Sequence, residues 1–291
     1  MIAVTVDEAL HLWNEALEKQ HHKIESIPVG DAKGYVLAED VLAPTDVPAF
    51  HKSAMDGYAL AYEPSCDEYI VDGIIGAGVV WDKTVATGHA VRIMTGAPVP
   101  STCDTVIMQE QVTGTGEIGS IITIQGNQKK GSHIIPCGEE CTAGTVVIPK
   151  GTEITSTVQT ILTGLGCIDV SVYEMPRILV LTSGHEVIEP GEPLAAGKIY
   201  NSNRMMICSL LDDLGFRHIT HYHVSDAPDK LDAEIKRVLE LSEQADIIIS
   251  SGGVSVGMFD TMPLIYEKLG AKTLYERIQM RPGAASYGAV T

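Results

Sequence analysis

Basic residues are scarce in this chain. Across 291 residues, 20 Lys and Arg stand against 38 Asp and Glu, for a formal net charge of −18, and the longest Lys/Arg run is Lys129-Lys130. A general nucleic-acid binder is excluded, because phosphate backbones are held by basic patches. A small anionic ligand is not, since local amides and a metal ion override the global field. No apolar run approaches the roughly 20 residues needed to cross a bilayer, so no membrane span is expected. The start, Met1-Ile2-Ala3-Val4-Thr5, has neither a basic n-region nor a sustained apolar h-region, so no secretory leader is expected either. The six cysteines form no C-x-x-C pair, and Cys137-Gly138-Glu139-Glu140-Cys141 comes nearest. That spacing reads first as reduced thiols in a cytoplasmic protein, with a metal or redox role as the alternative.

What is present is ordinary globular material, 45% hydrophobic and 20% charged, long enough for about two domains. Thr5-Val6-Asp7-Glu8 reads as a capping box, and Val6, Leu10, Trp13 and Leu17 follow at helical spacing, predicting a helix over 6–19. From about Ile24 to Glu174, short β-branched runs such as Val91-Arg92-Ile93-Met94, Thr105-Val106-Ile107-Met108 and Ile121-Ile122-Thr123-Ile124 alternate with turn residues. This predicts many short strands, with one helix near 155–166 closed by Gly166.

After Pro176 the rhythm changes. Strands are expected at Ile178-Leu179-Val180-Leu181, at 218–224, at 246–250 and near 273–279. Between them lie a helix near 203–214 facing inward with Ile207, Leu210, Leu211 and Leu214, one opening at Ser225-Asp226-Ala227-Pro228, and one bearing Met262, Ile265, Tyr266 and Leu269. Such alternation makes a doubly wound, mostly parallel sheet, whose ligands bind outside the carboxyl ends of its strands. Three loops then share one rim: 182–186, 225–226 and 250–260.

The last of these, Ser250-Ser251-Gly252-Gly253-Val254-Ser255-Val256-Gly257-Met258-Phe259-Asp260, lets amides and small hydroxyls approach an anion closely, with a carboxylate behind. Glu186, Asp226 and Asp260 would converge there and suit Mg²⁺ with phosphate oxygens. Each has a plainer alternative: Asp260 and Asp226 as helix N-caps, and Glu186 as a first-turn acid favoured by the helix dipole. His221 and His223 would share a strand face and read as ordinary strand residues rather than metal ligands. The segments Pro48 to Ala59 and Arg92 to Pro100 read as rigid loops.

Together, Ser53-Ala54-Met55-Asp56-Gly57-Tyr58-Ala59, Arg92 to Pro100, Ile199-Tyr200-Asn201-Ser202-Asn203 and Ser250 to Asp260 resemble, in order, the bacterial molybdopterin molybdenumtransferase (MoeA) family, related to the C-terminal part of gephyrin. The resemblance implies an α/β fold: a β-rich, elongated N-terminal region with a few helices (1–175, with an inserted lobe near 50–145), then a doubly wound, mostly parallel molybdopterin-binding domain (176–291). Beyond Thr291 it implies a Leu-Pro-Gly-Asn-Pro loop and a small β-domain.

It implies molybdenum cofactor biosynthesis: a transferase that inserts molybdate into adenylylated molybdopterin, with Mg²⁺, and releases AMP. It also implies a homodimer whose cleft lies between one subunit's α/β domain and the other's N-terminal region. Molybdopterin adenylyltransferase is the implied functional partner. The implied catalytic residues are Asp56, Glu186, Asp226 and Asp260, the last three also metal ligands. Thr95, Gly96, Ser183, Gly184, Asn203, Ser251, Gly252, Gly253 and Ser255 would bind the cofactor.

Four segments depart from the family pattern. Ser183-Gly184-His185-Glu186 stands for Thr-Gly-Asp-Glu, and Asn201 stands for Asp. Ile135-Pro136-Cys137 precedes Gly138-Glu139-Glu140 in place of an arginine-rich run before Gly-Glu-Asp. Arg281-Pro282-Gly283-Ala284-Ala285 stands for Lys-Pro-Gly-Lys-Pro. These departures leave a second reading, a non-catalytic molybdopterin- or nucleotide-binding module or scaffold.

Overall fold

The computed structural model describes residues 3–20, 22–225, 227, 229–252 and 262–291. It divides into two compact units, Ile27–Val170 and the pair of segments Met1–Ser26 and Ser171–Thr291. The first helix, α1 (Val6–Leu17), starts at the expected capping box, where the Glu8 amide donates to Thr5 Oγ1 at 3.2 Å and the Thr5 amide donates to Glu8 Oε2 at 2.7 Å. Its packed face is offset from the expected one. Ala9, Leu12 and Trp13 meet Val4, Leu274, Tyr275 and Ile278, whereas Val6, Leu10 and Leu17 stay exposed. The Trp13 indole sets this rotation, since its Nε1–H donates to Tyr275 Oη at 3.0 Å.

The unit Ile27–Val170 is built on a six-stranded sheet of β1 (Gly57–Leu60), β2 (Glu68–Ile75), β3 (His89–Ile93), β4 (Thr105–Met108), β5 (Val112–Thr113) and β6 (Ile121–Ile124), in the order β4-β1-β3-β2-β6-β5. Only β2 and β3 run parallel; the other pairings are antiparallel. Alternation fills both faces. Tyr58 and Leu60 pack with Tyr69, Val71 and Ile122, while Ala59 packs with Val91, Ile93 and Val106. Each fully buried Ile or Leu contributes about 1.5–3 kcal/mol. Helix α2 (Ser156–Gly164) is capped by Thr155, whose hydroxyl accepts from the Val158 amide, and Gly166 follows its end at φ +80°.

The other unit carries the parallel sheet. Its strands are β7 (Arg177–Ser183), β8 (His218–Val224) and β9 (Ile247–Ser251), in the order β8-β7-β9, interleaved with α3 (Ser202–Asp213), α4 (Leu231–Ser242) and α5 (Met262–Lys268). Successive residues of β7 point to opposite faces. Ile178 and Val180 pack under α3 with Ile207 and Leu211, and Leu179 and Leu181 pack against Val238, Met262 and Ile265 of α4 and α5. Helices cover both faces, which makes the sheet doubly wound.

Two expectations change here. Leu210 and Leu214 are 55% and 74% exposed, so Leu211 with Ile207 and Cys208 forms the packed stripe of α3. Helix α4 begins at Leu231, and Pro228 lies outside the described residues.

Candidate functional site

The connection from β7 through α3 leads to β8 on one side of β7, and the connection from β8 through α4 leads to β9 on the other. By the switch-point rule, the ligand crevice of such a sheet belongs at the carboxyl ends of β7 and β9, where the winding reverses. The register levels these ends: Thr182 lies opposite both His223 and Ser251, and Ser183 opposite Val224.

The two loops approach very closely. A Cβ at Gly252, whose φ is +91°, would lie 2.8 Å from the Ser183 carbonyl oxygen and 3.0 Å from Ser183 Oγ. Only glycine tolerates that approach. Among the described residues, Ser183 Oγ is buried with no hydrogen-bond partner, which is costly for a hydroxyl. Ser251 is fixed from the side, because Asn203 Nδ2 in the first turn of α3 donates to its Oγ at 2.9 Å.

Gly184, at φ +129°, carries the Glu186 carboxylate over it, so that a Cβ there would lie 2.7 Å from Glu186 Oε2. Glu186 does not open a helix: Val187–Ile188 is a short strand paired in parallel with Ile199–Tyr200, which overturns the helix-dipole alternative. His185 Nδ1 stands 3.9 Å from Glu186 Oε2, and the Lys198 ammonium donates to the His185 carbonyl. Ser183, Gly184, Glu186, Asn203, Ser251 and Gly252 thus share the rim. Asp226, Gly253, Ser255 and Asp260 lie outside the described residues. Among the described residues no three His, Cys, Asp or Glu side chains cluster as a metal site.

In the β-rich unit, Asp56 sits just before β1, and the Gly57↔Ile93 register sets it beside the turn after β3. Asp56 Oδ1 accepts from the Thr95 amide at 2.7 Å and from Thr95 Oγ1 at 2.8 Å. Those two bonds, backbone first, hold its carboxyl below the usual range, with Arg92 adding a smaller attraction. Gly96, at φ +79°, completes the turn, and its amide donates to the Ser53 carbonyl at 2.8 Å. Asp56, Thr95 and Gly96 therefore form one constellation.

Cys137 lies apart from it, with its Sγ 3.5 Å from Asp46 Oδ2. Burial, then the Asp46 carboxylate, pushes that thiol's pKa up, away from the reactive thiolate.

Residues 4–166 match the family model described as the MoeA N-terminal region (domain I and II), and residues 179–291 match a probable molybdopterin binding domain. The chain belongs to the MoeA family. A molybdopterin molybdenumtransferase from Staphylococcus epidermidis is 37% identical over 97% of this chain, which spans 67% of that relative's length. One from Bacillus subtilis (strain 168) is 35% identical over 97% of this chain and 66% of its own. The crystal structure of a molybdopterin biosynthesis MoeA protein from Pyrococcus horikoshii OT3 is similar with a TM-score of 0.80 at 27% identity, covering 98% of this chain and 72% of that one.

Within this MoeA-family chain, several contacts at the rim carried no signal in the sequence. Lys198 lies in a loop with nothing to mark it. The sequence puts Thr182 at the 182–186 rim but gives no sign of its partners: Asn201 Nδ2 donates to its Oγ1 at 3.0 Å, and His221 Nε2 and His223 Nδ1 lie 3.0 and 3.1 Å from the same atom. The amide at position 201 also has a physical reason. Its Nδ2 donates to Glu189 Oε1 at 3.0 Å, a distance at which an aspartate would set carboxylate against carboxylate.

Proposed function

We propose that this MoeA-family chain inserts molybdate into the dithiolene of adenylylated molybdopterin and releases AMP, a step of molybdenum cofactor biosynthesis. The observation that carries this reading is the Ser183–Gly252 approach at the switch point of the sheet. It leaves a buried hydroxyl, without a partner among the described residues, beside glycine backbone where an anionic ligand is expected to sit. Ser251, held by Asn203, supplies a second hydroxyl, and the Lys198 ammonium nearby offsets some of the ligand's charge. Asp56, kept ionised by Thr95, is the acid we assign to the reaction from the β-rich unit.

The donor set suits Mg²⁺, which takes one or two carboxylates and completes its shell with water and substrate phosphate. Glu186 is one such carboxylate on the rim, and Asp226 and Asp260 are the further ligands we assign. When bound, the ion would neutralise charge developing on the phosphoanhydride as AMP leaves. Ser183, Ser251 and Asn203 orient the ligand with little motion, because each is tied to a strand end or a helix start. We also assign a cytoplasmic homodimer, with the enzyme that adenylylates molybdopterin as its functional partner.

The test incubates the protein with adenylylated molybdopterin, molybdate and Mg²⁺ and measures AMP. Release should fall about 10²-fold or more in Glu186→Gln and Asp56→Asn. Molybdopterin binding with no AMP release in the unaltered chain would instead favour a non-catalytic binding module.

A further inference from the structure

Beneath the rim, on the α3 face of the sheet, lies a polar cluster that takes no part in the reaction above. Lower down, this face is apolar, with Ile178, Val180, Ile219 and Ile249 under Leu211. At the carboxyl end it turns polar: Thr182, His221 and His223 face Asn201, the N-cap of α3, which is only 3% exposed.

The amide of Asn201 can take one orientation only. Its Oδ1 accepts from the Arg204 amide at 3.1 Å, capping the helix, and its Nδ2 divides two hydrogens between Thr182 Oγ1 and Glu189 Oε1, both at 3.0 Å. Glu189 Oε2 accepts from the Arg204 guanidinium at 2.7 Å. Burial of Glu189 opposes its ionisation, but the Asn201 and Arg204 bonds outweigh this and hold its pKa down.

Hydrogen counting also constrains Thr182. Its hydroxyl has one hydrogen and two lone pairs, and Asn201 occupies one lone pair. One imidazole nitrogen must therefore donate and the other accept. The two rings cannot both be imidazolium while the cluster stands.

We propose that Glu189, Asn201, Thr182 and the His221–His223 pair form a positioning cluster for the ligand-binding rim, setting the first turn of α3 and through it the Asn203–Ser251 contact. Asn203 follows Asn201 by two residues in that turn, and its amide holds Ser251 at the mouth of the crevice. The Thr182–Asn201 bond ties this turn to the central strand, next to Ser183. The proposal rests on the molybdopterin reading only for its ligand measurement.

The decisive variant is Asn201→Asp, which keeps the cap but sets two carboxylates together. Adding Glu189→Gln then restores an amide–carboxylate pair with its roles exchanged, while the Thr182 hydroxyl turns to donate to the new carboxylate and both imidazoles donate to Thr182 Oγ1. In ligand-free protein, the Asn203 side-chain amide and Ser251 backbone amide NMR signals should shift in Asn201→Asp and return in the double variant. Molybdopterin affinity should fall about tenfold and recover with them, as expected for one lost hydrogen bond.

Thr182→Val, which keeps the shape of the side chain, should move the same two signals, and it serves as the test if Asn201→Asp fails to fold. Signals that stay in place in the variants, or a shift that the second substitution leaves unrepaired, would overturn the cluster's role. Should the signals move and recover while the unaltered protein binds no molybdopterin, the ligand reading fails and the positioning cluster stands.

Discussion

Asp56 and Thr95 show what a single side chain can and cannot announce. Both lie in segments that stood out in the sequence, but their contact spans 39 positions and exists only because β1 pairs with β3 in one register. Thr95→Val removes the hydroxyl donor and leaves the amide, so the Asp56 pKa should rise toward the ordinary carboxylate value while staying below it. A carboxyl ¹³C titration reads this, and an unmoved midpoint would refute the assignment of cause. Gly57 beside it is constrained by backbone: a Cβ there would lie 1.9 Å from the Ile107 carbonyl oxygen. Gly57→Ala should therefore cost about 3 kcal/mol in urea unfolding as β1 and β4 are forced apart. Gly30, with nothing within 4 Å of such a Cβ, should change by no more than about 0.5 kcal/mol on the same substitution.

Elements were legible where the pattern was strong. The capping box at Thr5 and Glu8 marks the start of α1 correctly, because it is a local hydrogen-bond exchange that needs no distant partner. Thr5→Ala should cost about 1 kcal/mol, measured as a lower denaturation midpoint with an unchanged slope; a neutral result would mean the first turn frays without consequence. The packed face of a helix was harder to read. In α3 the apolar Met205, Met206, Ile207, Leu210 and Leu211 are spread around a half-polar helix, so its periodicity selects no single stripe, and the sheet chooses Leu211 while Leu210 and the C-cap Leu214 remain in solvent. In α1 the indole's need for the Tyr275 hydroxyl turned the helix away from its Val6–Leu10–Leu17 row.

At the scale of the whole molecule, acid should loosen the α/β unit in two stages. Burial, with Arg204 adding to it, pushes the His221 pKa below its ordinary 6.5, so the unfolded chain binds this proton first and stability declines as pH falls through that value. Asp246, held down chiefly by Arg177, and Glu189 contribute stability above the ordinary carboxylate range that is lost as pH falls through their folded values. A series of Tm values against pH should show both stages, and His221→Gln should flatten only the upper one; a curve merely displaced in parallel would reject the His221 contribution. Sequence alone determined the acidic balance, the β-rich stretch, the strand–helix alternation and the rim of Ser183, Glu186, Ser251 and Gly252, because composition, period and loop chemistry are local properties. Tertiary structure alone decided that Ser183 Oγ would be buried with no partner among the described residues, that Thr182 would gather Asn201 and two histidines, and that Thr95 would hold Asp56. Those contacts depend on register and on which helix face packs, and both are settled by the sum of distant packing interactions rather than by any residue's neighbours in the chain.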